Sequence, residues 1–124
     1  VSIFHPASLV SPSATIGPGT YLAAGAVVSS RATIGPHGLI NYHSVVGHDD
    51  VLGSHVVMNP LASLGGNVAV GDYTLIGAKS FLFQGIEVGA HCQIDALTYV
   101  ESNLPDHHMA TSRGGYRVLP RLPS

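Results

Sequence analysis

Every sixth residue from Phe4 to Val100 is apolar. The series passes through Ile16, Val28, Ile40, Leu52, Leu64, Ile76 and Val88 without a break. In a chain that is 45% hydrophobic, chance would produce such a run roughly once in a million. A fixed short period held over most of a chain is the mark of a repeat architecture, in which each unit stacks on its neighbours.

The columns beside this register say what each unit is. The position after the large apolar residue holds Gly17, Gly35, Gly47, Gly53, Gly65, Gly71, Gly77 and Gly89, with Asn41, Asn59 and Asp95 among the rest. These types tolerate left-handed backbone, so this column is expected to form the turn. Pro6, Pro12, Pro18, Pro36 and Pro60 fall one place later, where a turn accepts a missing N–H. Two places before the large residues lies a near-uniform column of mostly small ones, which includes Ala14, Thr20, Ala26, Ala32, Ser44, Ala62, Thr74, Ser80, Cys92 and Thr98. Alternation along a strand puts the small and large columns on one face. Each hexad is therefore a short strand with two inward residues, followed by a corner, and three hexads close a triangular coil.

The predicted fold is all-β, a parallel β-helix of hexapeptide repeats. It comprises a domain over residues 1–105 and a short C-terminal tail over 106–124. Residues 4–105 make about 5.7 coils of 18 residues, roughly 27 Å tall at one strand spacing per coil. In the tail, Gly114-Gly115 reads as a turn and Val118-Leu119 as a last strand.

Composition excludes several classes. Fifteen Gly and eight Pro argue against helices, and 10% charged residues with high hydrophobicity argue against disorder. A net charge of −2 with five Lys and Arg gives no nucleic-acid footprint. No apolar run approaches the length of a membrane span. One cysteine fits a reducing compartment, the cytoplasm, and its inward position marks Cys92 as a buried packing residue.

Inward residues are packed, so chemistry must come from the corners. Residues 18 apart stack, and one corner column reads Pro12, Ser30, His48, Gly66, Gln84, Ser102. His48 is thus expected beside a notch left open by Gly65 and Gly66, where a thin ligand reaches a base. Asp49 follows it, and a carboxylate beside an imidazole fixes its tautomer and raises its basicity. Asp50 falls in the small inward column, where every other residue is uncharged. It reads either as support for the His48 corner or as an outward distortion of the coil. His37, His55, Tyr73 and His91 form an outer column, read as an exposed stack or a subunit contact.

Several stretches resemble the NeuD/PglD-type sugar acetyltransferases. They are His5-Pro6-Ala7-Ser8, Ser11-Pro12-Ser13-Ala14-Thr15-Ile16-Gly17, Val46-Gly47-His48-Asp49-Asp50-Val51-Leu52-Gly53 and Leu64-Gly65-Gly66-Asn67-Val68. The resemblance implies a left-handed β-helix, a homotrimer, and acetyl-CoA lying between neighbouring prisms. It makes His48 the general base, aided by Asp49, and puts the backbone around Ala78 and Ala96 against the cofactor. It brings Asn41 near the acceptor sugar. Transfer is then direct, from acetyl-CoA to an amine or hydroxyl of a nucleotide-linked sugar, with a backbone N–H near Gly65 and Gly66 stabilising the oxyanion. The chain departs from the family in three ways. A second family His maps to Val57, with His55 two residues off. The Gly-x-Pro-Ala-Lys tail motif is replaced by Ser112-Arg113-Gly114-Gly115-Tyr116-Arg117. The small N-terminal α/β domain that grips the nucleotide sugar is absent from the sequence. Arg113 and Arg117 are expected to take over the phosphates of acetyl-CoA, with Lys79 and Arg31 as the remaining cations.

Two other readings compete. One is a non-catalytic trimeric scaffold. The other is a metalloenzyme similar to the gamma-class carbonic anhydrases, since His43 and His48 are five apart. The third ligand of that family would fall at Ala7, so no metal is expected.

Overall fold

A computed structural model describes residues 1–122. The chain winds as a left-handed parallel β-helix of about six turns, with no helix among the described residues. Two-residue strands pair at a spacing of 18, for example Tyr21↔Leu39 and Leu22↔Ile40. Three faces result. Face A carries Ile3–Phe4, Tyr21–Leu22, Leu39–Ile40, Val57–Met58, Leu75–Ile76 and Gln93–Ile94. Face B carries Leu9–Val10, Val27–Val28, Val45–Val46, Ser63–Leu64, Phe81–Leu82 and Tyr99–Val100. Face C carries Thr15–Ile16, Thr33–Ile34, Val51–Leu52, Ala69–Val70 and Glu87–Val88.

The inward columns fall where the sequence puts them. Leu22, Ile40, Val46, Met58, Ile76 and Leu82 are fully buried, and Ala26, Ala62, Thr74, Ser80 and Cys92 fill the space between them. Burial pushes the Cys92 thiol above its ordinary pKa. Removing these rows from water is the main force holding the prism together.

The corner geometry corrects one expectation. Left-handed backbone occurs three places after the large apolar residue, at Arg31, His37, His43, Asp49, His55, Asn67, Tyr73 and Lys79, with φ between 56 and 60°. The glycine column is needed for a different reason. A β-carbon at Gly77 would come within 2.6 Å of the Ala96 nitrogen, and one at Gly35 within 2.6 Å of the Gly53 carbonyl carbon. Close stacking of coil on coil excludes side chains there. Each left-handed residue donates its N–H to the coil below, as in Asn67 to the His48 carbonyl at 2.9 Å and His55 to the Pro36 carbonyl at 2.9 Å.

After Pro105 the spacing changes and the chain stays in strand. His108–Thr111 pairs in parallel with Gln93–Ile94 on face A, and Arg117–Pro120 returns antiparallel to it. Gly114 (φ 72°) and Gly115 (φ 98°) make the turn between them. Tyr116 and Val118 pack against the top of the core, and the Tyr116 hydroxyl lies 2.8 Å from Ser102 Oγ.

Candidate active site

His48 and Asp49 occupy the edge between faces B and C, at the corner that follows Val45–Val46. His48 Nδ1 lies 3.0 Å from Asp49 Oδ2. Asp49 is held in turn by Arg31, one coil below, through Nε to Oδ1 at 2.8 Å and a second guanidinium N–H to Oδ2 at 3.0 Å. The hydrogen bond from Arg31, and then that from His48, lowers the Asp49 pKa from 3.8 to about 2. The carboxylate is therefore ionised throughout the range in which imidazole titrates and fixes the proton of His48 on Nδ1. Nε2 is left as the acceptor.

The expected open notch is filled. The His48 imidazole itself lies over Gly66, and a β-carbon on Gly66 would fall on Nε2. Gly66 provides a seat for the ring and no passage for a ligand. The Gly65 N–H is also taken, donating to the Leu82 carbonyl at 2.9 Å. The Gly66 N–H makes no hydrogen bond among the described residues.

Asp50 points inward and is fully buried, which excludes the outward distortion. Its Oδ2 accepts the Gly47 N–H at 2.6 Å and its Oδ1 the Val68 N–H at 2.8 Å. Burial raises its pKa from 3.8 to about 6, against the lowering effect of those two amides.

Ala78 and Ala96 sit on a different edge, between faces A and B. The Ala78 N–H is unpaired among the described residues, and that of Ala96 bonds Asp95 Oδ1 at 3.1 Å. Asn41 lies on the same edge lower down, with its side-chain oxygen turned back on the Tyr42 N–H at 3.2 Å. Arg113 Nε pairs with Asp95 Oδ2 at 2.9 Å, so its charge is already compensated. Arg117 donates to the Arg113 carbonyl at 3.2 Å. Ala96, Leu97, Ser112 and Arg113 line a cleft of about 270 Å³ at the top of this edge. A single chain thus groups Ala78, Ala96, Lys79 and Arg113 on one edge and His48, Asp49 and Gly66 on the next. It does not bring the two sets together.

Sequence reasoning placed Arg31 among cations for phosphate and missed its contact with Asp49. The signal was present, since Arg31 stands 18 residues before Asp49 in one corner column. The outer column is a continuous ring stack: His37–His55, His55–Tyr73, Tyr73–His91 and His91–His107 have centroids 4.9, 4.6, 5.1 and 5.0 Å apart. His43 and His48 project from different edges, and no group of three or more His, Cys, Asp or Glu suited to a metal ion occurs among the described residues.

Solved structures share this fold. A variant of perosamine N-acetyltransferase from Caulobacter crescentus, in complex with CoA and GDP-perosamine, matches 95% of this chain and 56% of its own at 30% identity, with a TM-score of 0.92. The acetyltransferase domain of PglB from Neisseria gonorrhoeae, in complex with acetyl coenzyme A, matches 95% of this chain and 57% of its own at 29% identity and TM-score 0.90. The NeuD/PglD-like family of hexapeptide-repeat sugar acetyltransferases fits this chain. WeeI from Acinetobacter baumannii, at 22% identity and TM-score 0.77 over 96% of this chain and 58% of its own, shares the fold. The chain spans a little over half the length of each of these structures. No family model and no curated protein sequence matches it.

Proposed function

We propose that this chain transfers acetyl from acetyl-CoA to the amine of a nucleotide-linked amino sugar, with His48 as general base. One observation carries the reading. The imidazole is pinned at Nδ1 by Asp49, which Arg31 grips, and seated over Gly66 with Nε2 free to accept a proton. The complexes of the similar enzymes with CoA and GDP-perosamine support the choice of donor and acceptor.

In the proposed mechanism the acceptor amine approaches Nε2 and attacks the thioester carbon. His48 takes the amine proton as the C–N bond forms, and then returns it to the CoA sulfur as the C–S bond breaks, so that CoA leaves as the thiol and the imidazole is neutral again. A general base of this kind contributes about 10²–10⁴-fold. No covalent enzyme intermediate is formed, in keeping with a sole cysteine that is buried.

The separation of the two edges supports an assembly in which one chain supplies His48 and its neighbour supplies the Ala78–Ala96 edge. A cyclic trimer closes such heterologous contacts. The outer rows flanking the A/B edge are mainly apolar, with Leu39, Val57 and Leu75 on face A and Val27, Val45, Phe81 and Tyr99 on face B, interrupted by Gln93 and Ser63. Face C is more mixed, with Thr15, Thr33 and Glu87 beside Val51 and Ala69.

The deciding experiment is thiol release from acetyl-CoA with a panel of nucleotide-linked amino sugars. Turnover should appear with at least one of them and fall by about 10²-fold or more in His48→Ala, whose fold should survive because the side chain lies outside the core. Undiminished turnover in that variant would remove His48 from the mechanism.

A further inference from the structure

The coils are laced together by one recurring bond. The residue after each large apolar position donates its N–H to the coil above: Ser29 to the Val46 carbonyl at 3.0 Å, Gly53 to Val70 at 2.8 Å, Gly65 to Leu82 at 2.9 Å. Every corner from His5 to Asp95 makes this bond except one. At Gly47 the N–H turns away from Leu64 and goes to the carboxylate of Asp50. Only Ser63↔Val45 pairs between these two strands, whereas the coils on either side keep both residue pairs.

The rest of the inward column shows what an ordinary residue does there. Thr74 accepts the Cys92 N–H and donates to the Gly89 carbonyl, and Ser80 accepts the Thr98 N–H and donates to the Asp95 carbonyl. Asp50 accepts the equivalent amide, that of Val68. An ionised carboxylate has no proton to donate, so its second oxygen takes another N–H, and Gly47 supplies it. The two amides it holds bracket the site. Gly47 precedes His48, and Val68 closes the corner that begins with Gly65 and Gly66.

We propose that Asp50 is a positioning residue for the His48 corner, drawing Gly47 out of the inter-coil ladder and tying it to the coil that bears Gly66, so that the imidazole is seated at the correct height. This rests on the reading of His48 as a base. Removing the carboxylate lets Gly47 return to the Leu64 carbonyl and lets the corner relax into the register of its neighbours. Misplacement of a reacting group by about an ångström is worth up to about 10²-fold in rate. The charged groups around Asp50 are His48 and Asp49 on its own corner, with Arg31 on the coil below paired to Asp49. The coil above presents Gly66, Asn67 and Val68 there, none of which ionises.

The test uses Asp50→Ser, which restores the column's usual chemistry, and Asp50→Asn, which keeps the size but cannot accept the Gly47 N–H while also holding Val68 through its one oxygen. Both should fold, with kcat down at least about 10-fold and the KM for acetyl-CoA within about twofold. A second arm needs no turnover. In wild type the Gly47 and Val68 amide resonances should move together in a pH titration, and a nuclear Overhauser contact should join the His48 ring to the Gly66 α-protons. In Asp50→Ser the two amides should cease to titrate and that contact should weaken. A kcat within twofold of wild type, or an unchanged His48–Gly66 contact in Asp50→Ser, overturns the proposal. If wild type itself transfers no acetyl group, the functional reading fails and the resonance arm alone decides whether Asp50 seats the ring.

Discussion

Arg31 and Asp49, one coil apart in the same corner column, form a two-pronged ion pair whose carboxylate also meets His48. The corner is a chain of cation, anion and imidazole, and Arg31 offsets part of the negative field that Asp49 applies to the ring. Two variants should therefore act in opposite directions. Arg31→Ala leaves Asp49 free to stabilise the imidazolium, so the acidic limb of kcat/KM should move to higher pH. Asp49→Asn leaves the Arg31 cation near the ring, so the limb should move to lower pH. Limbs that shift in the same direction, or not at all, would show that the chain is not electrostatically coupled.

Gly66 should be irreplaceable for activity and dispensable for folding. Its backbone is not left-handed, so alanine is tolerated conformationally, but the added β-carbon occupies the place of Nε2. Gly66→Ala is expected to displace the ring and lower kcat by about 10²-fold, with an unchanged thermal midpoint. In a His48→Ala background the same substitution should cost nothing more, because the group it displaces has gone. An additive loss in the double variant would mean that Gly66 acts on the ligand directly.

The pH dependence of stability should carry the mark of Asp50. Its carboxyl is ordinary at 3.8 when unfolded and about 6 when folded, so between these values the native state holds a proton that the unfolded state lacks. Stability from this group is greatest below about pH 4, falls as pH rises to about 6, and is level above that. The difference is on the order of 2–3 kcal/mol for a fully buried carboxyl. Asp50→Ser should be more stable than wild type at pH 7, with the gap closing toward pH 4. Urea midpoints across that range measure it, and a gap independent of pH would show that Asp50 does not titrate in the folded protein.

The prism was legible because its periodicity is a direct consequence of stacking: the large inward residue, the small one and the corner each repeat at six. His48 and Asp49 were legible as adjacent corner residues. Their surroundings were less so, because a linear register says which residues stack and not which way a side chain leans. Gly66 reads as open space until the His48 ring is seen to lie on it. Asp50 reads as an anomaly, and only the missing Gly47–Leu64 bond shows what the anomaly does. The glycine column reads as left-handed backbone, yet the crowding that requires it comes from the coil above.

The two edges of the site should be separable by subunit mixing. If His48 from one chain works on acetyl-CoA held at the A/B edge of its neighbour, a chain lacking the base and a chain lacking the cofactor edge can repair each other. His48→Ala supplies the first, and Ala78→Glu the second, because a carboxylate beside the free Ala78 N–H would repel an anionic cofactor. Each variant alone should be inactive. When the two are unfolded and refolded together in equal amounts, random assembly into trimers gives about one interface in four with both halves intact. About a quarter of wild-type activity should then return, whereas mixing without refolding should return little. No recovery after verified co-assembly would place base and cofactor edge in one chain's own site, and an inactive mixture that sediments as monomers would remove the shared site altogether.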